Sequence, residues 1–333
     1  MNNNLSFLRD PKSGSILKPL GNSEHGIKIT KLISDDGSEY PVIEGIPRFV
    51  SSDNYAFAFG EQWMRYLKTQ LDSHTGLPLS EERLARCMQG NLRNWKNGDV
   101  KILEAGSGAG RFTEILLKHG ADVHSFDYSS AVEANAENNK ESDSLTLVQA
   151  DIRHMPFPKE YYDYVVCLGV LQHTPSPEES ISKLWEMVKP GGALVIDHYR
   201  WGWGRCMLPP IGSAVNIFRP VLLRLSVQAQ FKAVRKITDL FFPIHWKFRD
   251  NKFIQKILAR ISPVHFYYPS LKLRDRQMYY EWALLDTHDA TTDFYKHYRN
   301  ENQIQSYLGS LGAQAIQVTI DGNGLEAFCR KSI

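Results

Sequence analysis

The feature that most narrows the possible folds is the run Ile102-Leu103-Glu104-Ala105-Gly106-Ser107-Gly108-Ala109-Gly110-Arg111-Phe112. An apolar strand ending in an acid, three glycines at alternate positions and the start of a helix describe a β-turn-α corner. Glycine lacks a Cβ, so such a turn lets backbone N–H groups approach a ligand at a helix N-terminus. A dinucleotide fingerprint needs GxGxxG, and here Arg111 stands where its third glycine would fall. The turn leaves room for a ribose rather than a pyrophosphate, and Glu104 can accept from the ammonium of a bound amino acid.

Around this corner the pattern alternates. Strands are expected over 100–104, 122–127, 145–149, 164–168 and 193–198, and helices over 111–119, 130–140 and 177–188. Such alternation predicts an α/β fold with a mostly parallel sheet, covered on both faces, that binds its ligand at the carboxyl ends of the strands. Ahead of it, short runs at 27–33, 40–43 and 46–50, with Asp35-Asp36-Gly37 between the first two, predict a small β unit with a hairpin. Helices over 56–71 and 81–95 lead into the core. Beyond 198 the alternation gives way to an aromatic, basic stretch with helices over 231–245 and 252–261. A helix over 301–311 and strands over 315–320 and 325–330 follow. The expected divisions are 1–52, 53–98, 99–198, 199–283 and 284–333.

At 333 residues, 42% hydrophobic and 23% charged, the chain has apolar material for a real core. Apolar runs such as 164–171 are too short to span a bilayer. The first ten residues show no basic flank or apolar stretch, so an intracellular, cytoplasmic protein is expected. Cys87, Cys167, Cys206 and Cys329 form no CxxC pair, which argues against a disulfide framework and against a bound metal. The net charge of +2 conceals an asymmetry: residues 197–276 hold fifteen Lys and Arg against four Asp and Glu. That excess suggests phosphate, a lipid surface or nucleic acid as a partner, the alternative being a solvated helical face.

Three further segments follow the corner in order: Ser125-Phe126-Asp127-Tyr128-Ser129, Gln149-Ala150-Asp151-Ile152, and the stretch from Asp163 to His173 that holds Leu168-Gly169. Lys189-Pro190-Gly191-Gly192 then enters the next strand. Together these elements resemble the class I S-adenosylmethionine-dependent methyltransferases over 99–198. The resemblance implies a Rossmann-like seven-stranded sheet, here with a small N-terminal β unit and an inserted helical cap. S-adenosyl-L-methionine would be the donor and S-adenosyl-L-homocysteine the product. It further implies that Asp127 binds both ribose hydroxyls with Tyr128 and Ser129 beside it, that Asp151 accepts from the adenine amino group, and that Ile152 packs on the ring. Gly106, Ser107, Gly108, Gly110, Leu168 and Gly169 would complete the donor site. Gln62 and Trp63 are either a lid over the donor or simple helix packing.

The flanks extend the resemblance. Residues 10–14 and 40–49 are similar to the small zinc-ribbon-derived domain that precedes some bacterial methyltransferases, with its cysteines missing. Residues 55–63, 70–73 and 281–287 are similar to methyltransferases of bacterial surface-polysaccharide and secondary-metabolite gene clusters. The implied acceptor is a carbohydrate, phosphosugar, lipid-linked glycan or other small molecule. In this reading Arg235 and Lys236 attract its phosphate, and the basic stretch is open to peripheral contact with a membrane.

A hydroxyl acceptor needs a base, and histidine suits neutral pH. His173 is the first candidate, followed by His288, Asp289 and His297; alternatively His173 caps a helix entry or lines the donor pocket. Trp201, Trp203, Phe266, Tyr267 and Tyr268 are acceptor-pocket walls or the core of the cap, and Cys167 is a buried strand residue. The rival classes are an RNA or DNA methyltransferase, a dinucleotide-dependent dehydrogenase, and a relative that binds the donor without catalysis.

Overall fold

The computed structural model describes residues 5–22, 28–51, 54–96, 98–267 and 270–333. Four antiparallel strands, β1 (Lys18–Asn22), β2 (Lys28–Ile33), β3 (Glu39–Ile43) and β4 (Ile46–Pro47), form a small sheet in that order. Asp35-Asp36-Gly37 turns the β2–β3 hairpin, with Gly37 at φ +86°. Strand β1 carries no alternation to betray it; it is recruited by pairing with β2, with a register shift at Leu20/Gly21. This sheet is fastened to the rest of the chain. Phe49 N donates to Gln149 O at 2.8 Å, Arg48 pairs with Glu133, and Leu8, Leu17 and Leu32 join the same buried cluster as Leu103 and Val148.

Helix α1 (Phe57–Arg65) is shorter than expected, because the chain turns at 66–71 to place α2 (Asp72–Thr75). The Asp72 carboxylate then accepts from Ser80 N and Glu81 N in the first turn of α3 (Leu79–Cys87), a favourable charge at that end. Helix α3 stops well short of Trp95, since Gln89 and Gly90 take left-handed φ values of +52° and +71°.

The core follows as β5 (Lys101–Ala105), α4 (Arg111–Lys118), β6 (Asp122–Asp127), α5 (Ala131–Asn139), β7 (Leu145–Gln149), β8 (Tyr162–Cys167), α6 (Pro177–Met187) and β9 (Val188–Tyr199). The inserted cap comprises α7 (Trp203–Cys206), α8 (Val215–Leu222), α9 (Val227–Lys247) and α10 (Lys252–Ile261). Then come α11 (Arg276–Thr292), α12 (Glu301–Ser310), β10 (Gln314–Thr319) and β11 (Gly324–Arg330). The seven-stranded sheet has the order β7-β6-β5-β8-β9-β11-β10, parallel except for β11, which runs antiparallel to both β9 and β10. This is a Rossmann-like mixed seven-stranded α/β sheet, as expected. Its central strands read as near-continuous apolar runs because helices cover both faces.

Helix α11 runs through the division expected between 283 and 284 and packs against α1, α8 and α9. Phe242, Val264, Met278 and Trp282 form one buried cluster around it, and Leu222, Val234 and Leu284 another. Cap, lead-in helix and core thus share one long element. Among the described residues no helix is long and apolar enough to cross a membrane.

Candidate active site

A cavity of about 800 Å³ lies at the carboxyl ends of β5, β6, β8 and β9, bounded by α1, α3, α11 and the cap. That size is within the usual range for small-molecule sites. One wall is the glycine-rich corner. Gly110 begins α4 at φ +86°, and a Cβ there would stand 2.4 Å from Asn135 Oδ1, so glycine is required for helix-to-helix contact. Asp127, at the end of β6, accepts from Gly108 N at 3.0 Å and from Ser129 N and Oγ at 2.8 and 2.7 Å. These bonds fix the carboxylate, which has lone-pair capacity left for a diol. Burial lifts its pKa above the usual range, against the pull of the Ser129 and Gly108 donors.

Gly106, Ser107, Gly108, Asp127, Tyr128, Ile152, Leu168 and Gly169 all line the cavity. Among the described residues the Ser107 hydroxyl is buried without a hydrogen-bond partner, and so is Glu104 Oε1. Glu104 itself stands behind the lining; its Oε2 accepts from Thr113 Oγ1 and from Ser125 Oγ at 2.9 Å, and burial pushes its pKa up to about 7. A donor with an amino-acid end, a ribose and a base fits this wall: a carboxylate for the diol and two orphaned polar atoms beside the turn. Ser129 acts on Asp127 and does not reach the cavity lining.

Several expected residues lie elsewhere. Asp151 is outside the lining, held by Arg153 through Nε at 3.1 Å and Nη2 at 2.8 Å, so its acceptor capacity is largely taken. Gln62 and Trp63 divide their roles. Trp63 lies over Gly108, its indole 3.0 Å from where a Cβ would sit, and lines the cavity. Gln62 is buried behind it, its Oε1 2.5 Å from His288 Nδ1. His288 stacks on Phe231 at 4.0 Å, and burial pushes its pKa down to about 3. It faces away from the cavity and is corrected to a packing residue, because α11 turns 282, 285, 286, 289 and 290 toward the cavity and 288 toward Gln62 and Phe231. His297 likewise is not part of the lining; its N–H donates to Gln172 O at 2.9 Å.

His173 and Asp289 do meet in the cavity wall. His173 Nδ1 lies 3.2 Å from Tyr295 O and 3.4 Å from Asp293 Oδ2, which leaves Nε2 for chemistry. Burial alone would depress this imidazole; the Asp293 contact, with Asp289 nearby, overrides it and holds the pKa above the ordinary value. Burial raises Asp289, and Asp286 beside it is pushed up to about 7, by burial first and by Asp289 second. Asp286 accepts from Gln70 Nε2 and Trp282 Nε1, each at 3.1 Å. Arg111, bonded to Gln70 Oε1 and Ser80 Oγ, faces the same space. Asp286, Asp293 and Arg111 escaped the sequence reading as site residues, although the three- and four-residue steps 286, 289 and 293 put an acidic stripe on one helix face.

From the cap, Ser213, Val215, Asn216, His265, Tyr267 and Leu271 also line the cavity, and none of them is Lys or Arg. The expectation that Arg235 and Lys236 would hold an acceptor phosphate is therefore corrected: both lie on the exposed face of α9. Trp201 and Trp203 are exposed outside the cavity, Phe266 packs in the cap core, and Tyr268 lies outside the described residues. Cys167 is buried in β8 as expected of a packing residue.

Residues 103–196 match the family described as methyltransferase domain. A ubiquinone biosynthesis O-methyltransferase of Coxiella burnetii is 33% identical over 95 residues, covering 28% of this chain and 41% of that protein. The protein of the same name from Pseudomonas syringae is 34% identical over 98 residues, with the same two shares. The chain thus spans about two fifths of the length of the curated relatives it matches. A solved SAM-dependent methyltransferase from Aquifex aeolicus aligns over 79% of this chain and 90% of its own at 12% identity and a TM-score of 0.40. The segment that matches the methyltransferase domain family, residues 103–196, carries the glycine-rich corner, Asp127 and His173.

Proposed function

We propose that this chain is an S-adenosylmethionine-dependent O-methyltransferase whose acceptor presents a hydroxyl on a small polar headgroup such as a carbohydrate. The observation that carries the reading is one cavity lined both by Asp127, a carboxylate with capacity for a diol, and by a buried His173 whose Nδ1 already faces Tyr295 O and Asp293. The donor supplies a sulfonium-bound methyl group, and its transfer is an in-line displacement. Here the chain's residues align the partners, exclude water and remove a proton. Asp127 and the 106–110 turn hold the ribose side, Trp63 closes over the turn, and His173 Nε2 takes the acceptor proton. Asp293 orients and supports the imidazolium that forms. Tyr199, Tyr267 and Trp282 offer aromatic faces, and Asp286 and Asp289 offer acceptors for further hydroxyls. The relatives named O-methyltransferases support oxygen as the attacked atom.

The test is calorimetry with S-adenosylhomocysteine, followed by methyl transfer from labelled donor to a panel of sugar nucleotides, lipid-linked sugars, phenols and RNA. Donor binding plus transfer to a hydroxyl, lost in His173→Ala, is the expected result. Donor binding with no transfer to any acceptor points to a binding-only protein. Transfer to RNA alone overturns the small-molecule reading.

A further inference from the structure

The cations of α9 and α10 face solvent, and on α10 they share a face with unburied apolar side chains. Leu258 is buried and Ile254 and Gln255 half-buried, so these three set the inner side of the helix. On the outer side Phe253, Ile257 and Ile261 are 72%, 44% and 51% exposed and form one row at four-residue steps. Lys252, Lys256 and Arg260 form the adjoining row, and none of the three pairs with an acid among the described residues. A folded protein seldom leaves large apolar side chains aligned like this without a partner. An apolar row beside a cationic row is the pattern of a helix that lies in a lipid headgroup layer.

A second segment continues the surface. Pro210 joins Phe253, Lys256, Ile257, Arg260 and Ile261 around a shallow groove of about 310 Å³, and Ala214 N donates to Arg260 O at 2.8 Å. The loop preceding it exposes Leu208 and Ile211 at 58% and 60%. The same loop runs directly into Ser213, Val215 and Asn216, which line the main cavity.

We propose that α10 and the 207–211 loop form a docking face for an anionic lipid surface, which presents the acceptor side of the cavity to lipid-borne substrates. Charge complementarity selects this occupant: the rows supply three cations without an acidic partner among the described residues, Arg260 donating only to Pro210 O at 3.5 Å, and a neutral apolar partner would leave them unanswered. No helix of the described chain spans a bilayer, so the contact is peripheral. The link to acceptor choice rests on the methyltransferase reading; the docking does not.

The experiment sediments the full chain with phosphatidylcholine vesicles and with mixed phosphatidylcholine–phosphatidylglycerol vesicles, at low and high salt. Binding to the anionic vesicles, weakened by salt and weak on phosphatidylcholine alone, is expected. Lys252→Gln/Lys256→Gln should lower the partition coefficient by roughly fivefold per cation removed, and Phe253→Gln/Ile257→Gln should abolish retention at high salt. Calorimetry with S-adenosylhomocysteine on each variant reports intact folding, and on the parent chain it tests the methyltransferase reading by itself. Absence of vesicle binding overturns the proposal. So does a dimer in light scattering that Phe253→Gln/Ile257→Gln converts to monomer without any vesicle binding, since the face is then an interface between two copies.

Discussion

His173 Nδ1 and Asp293 Oδ2 face each other at 3.4 Å across the junction between β8 and the end of α11, both buried. The contact moves the two groups in opposite directions: Asp293 is held below the usual carboxylate range despite burial, and His173 above the usual imidazole value. Asp289 and Lys296 also face the pair, and Arg219 Nε bonds Asp293 Oδ1 at 2.7 Å. A base must be deprotonated to act, so turnover should rise with pH through a pKa above 6.5. Asp293→Asn removes the support, and the rising limb of the pH–rate profile should move to lower pH while the plateau rate falls about tenfold to a hundredfold. An unchanged limb in stopped-time assays across pH would exclude His173 as the titrating base.

Asp127→Ala removes the carboxylate that anchors Gly108 N and is proposed to bind the ribose diol. Hydrogen bonds to a charged group contribute about 1.5–3 kcal/mol, so S-adenosylhomocysteine affinity should fall about tenfold to a hundredfold. Calorimetry reads this directly, and equal affinity in the variant would reassign the ribose site.

The parts of this site legible in the sequence were those made by neighbours in the chain. The glycine-rich corner and the strands Asp122–Asp127 and Leu145–Gln149 carry their signals locally, in turn chemistry and apolar runs. Arg111 was readable only as a departure from a fingerprint, because Gln70 and Ser80, which it bonds, lie in the lead-in segment. His173 and Tyr295 are 122 positions apart, and no spacing rule connects them. Helical periodicity shows which residues share a face but not which face meets the core. His288 and Asp289 were therefore equally good candidates until α11 was packed, and Arg235 and Lys236 could be assigned inward when they point outward. Similarly, the helix over 81–95 lost its second half to a left-handed Gln89, a conformation that nothing in its side chain announces.

Glu104 tests whether a buried charge is kept for ligand binding. Burial raises its pKa from 4.5 to about 7 in the folded chain. A carboxyl with a raised folded pKa binds more protons folded than unfolded, so its contribution to stability falls as pH rises from about 4.5 to about 7 and stays low above that. The shift of about 2.5 units corresponds to a cost near 3 kcal/mol at pH 8 as an upper figure. Glu104→Gln should therefore raise Tm at pH 8 and change it little at pH 4. If Oε1 receives the donor's ammonium, the same variant should lose S-adenosylhomocysteine affinity while gaining stability. A Tm gain that is equal at both pH values would mean the charge is not the cause.

The last prediction concerns a buried ion pair of which one member, Arg83, lines the cavity. Arg83, on α3, bonds the fully buried Asp197 of β9, and Asp197 Oδ1 in turn accepts from Gly169 N at 2.6 Å. The pair thus ties the lead-in helix to the loop after β8. Breaking such a pair from one side leaves an uncompensated charge in the interior, at a cost of about 3–5 kcal/mol. Arg83→Met should lower the urea midpoint by a corresponding amount with little change in m. Adding Asp197→Asn removes the stranded charge and keeps an acceptor for Gly169, so the double variant should recover much of the loss, a coupling that neither single variant shows alone. Because Gly169 lines the cavity and is proposed to belong to the donor site, Arg83→Met should also weaken S-adenosylhomocysteine binding, and the double variant should restore it. If stability and donor affinity recover independently, the pair supports the fold without positioning the Gly169 loop.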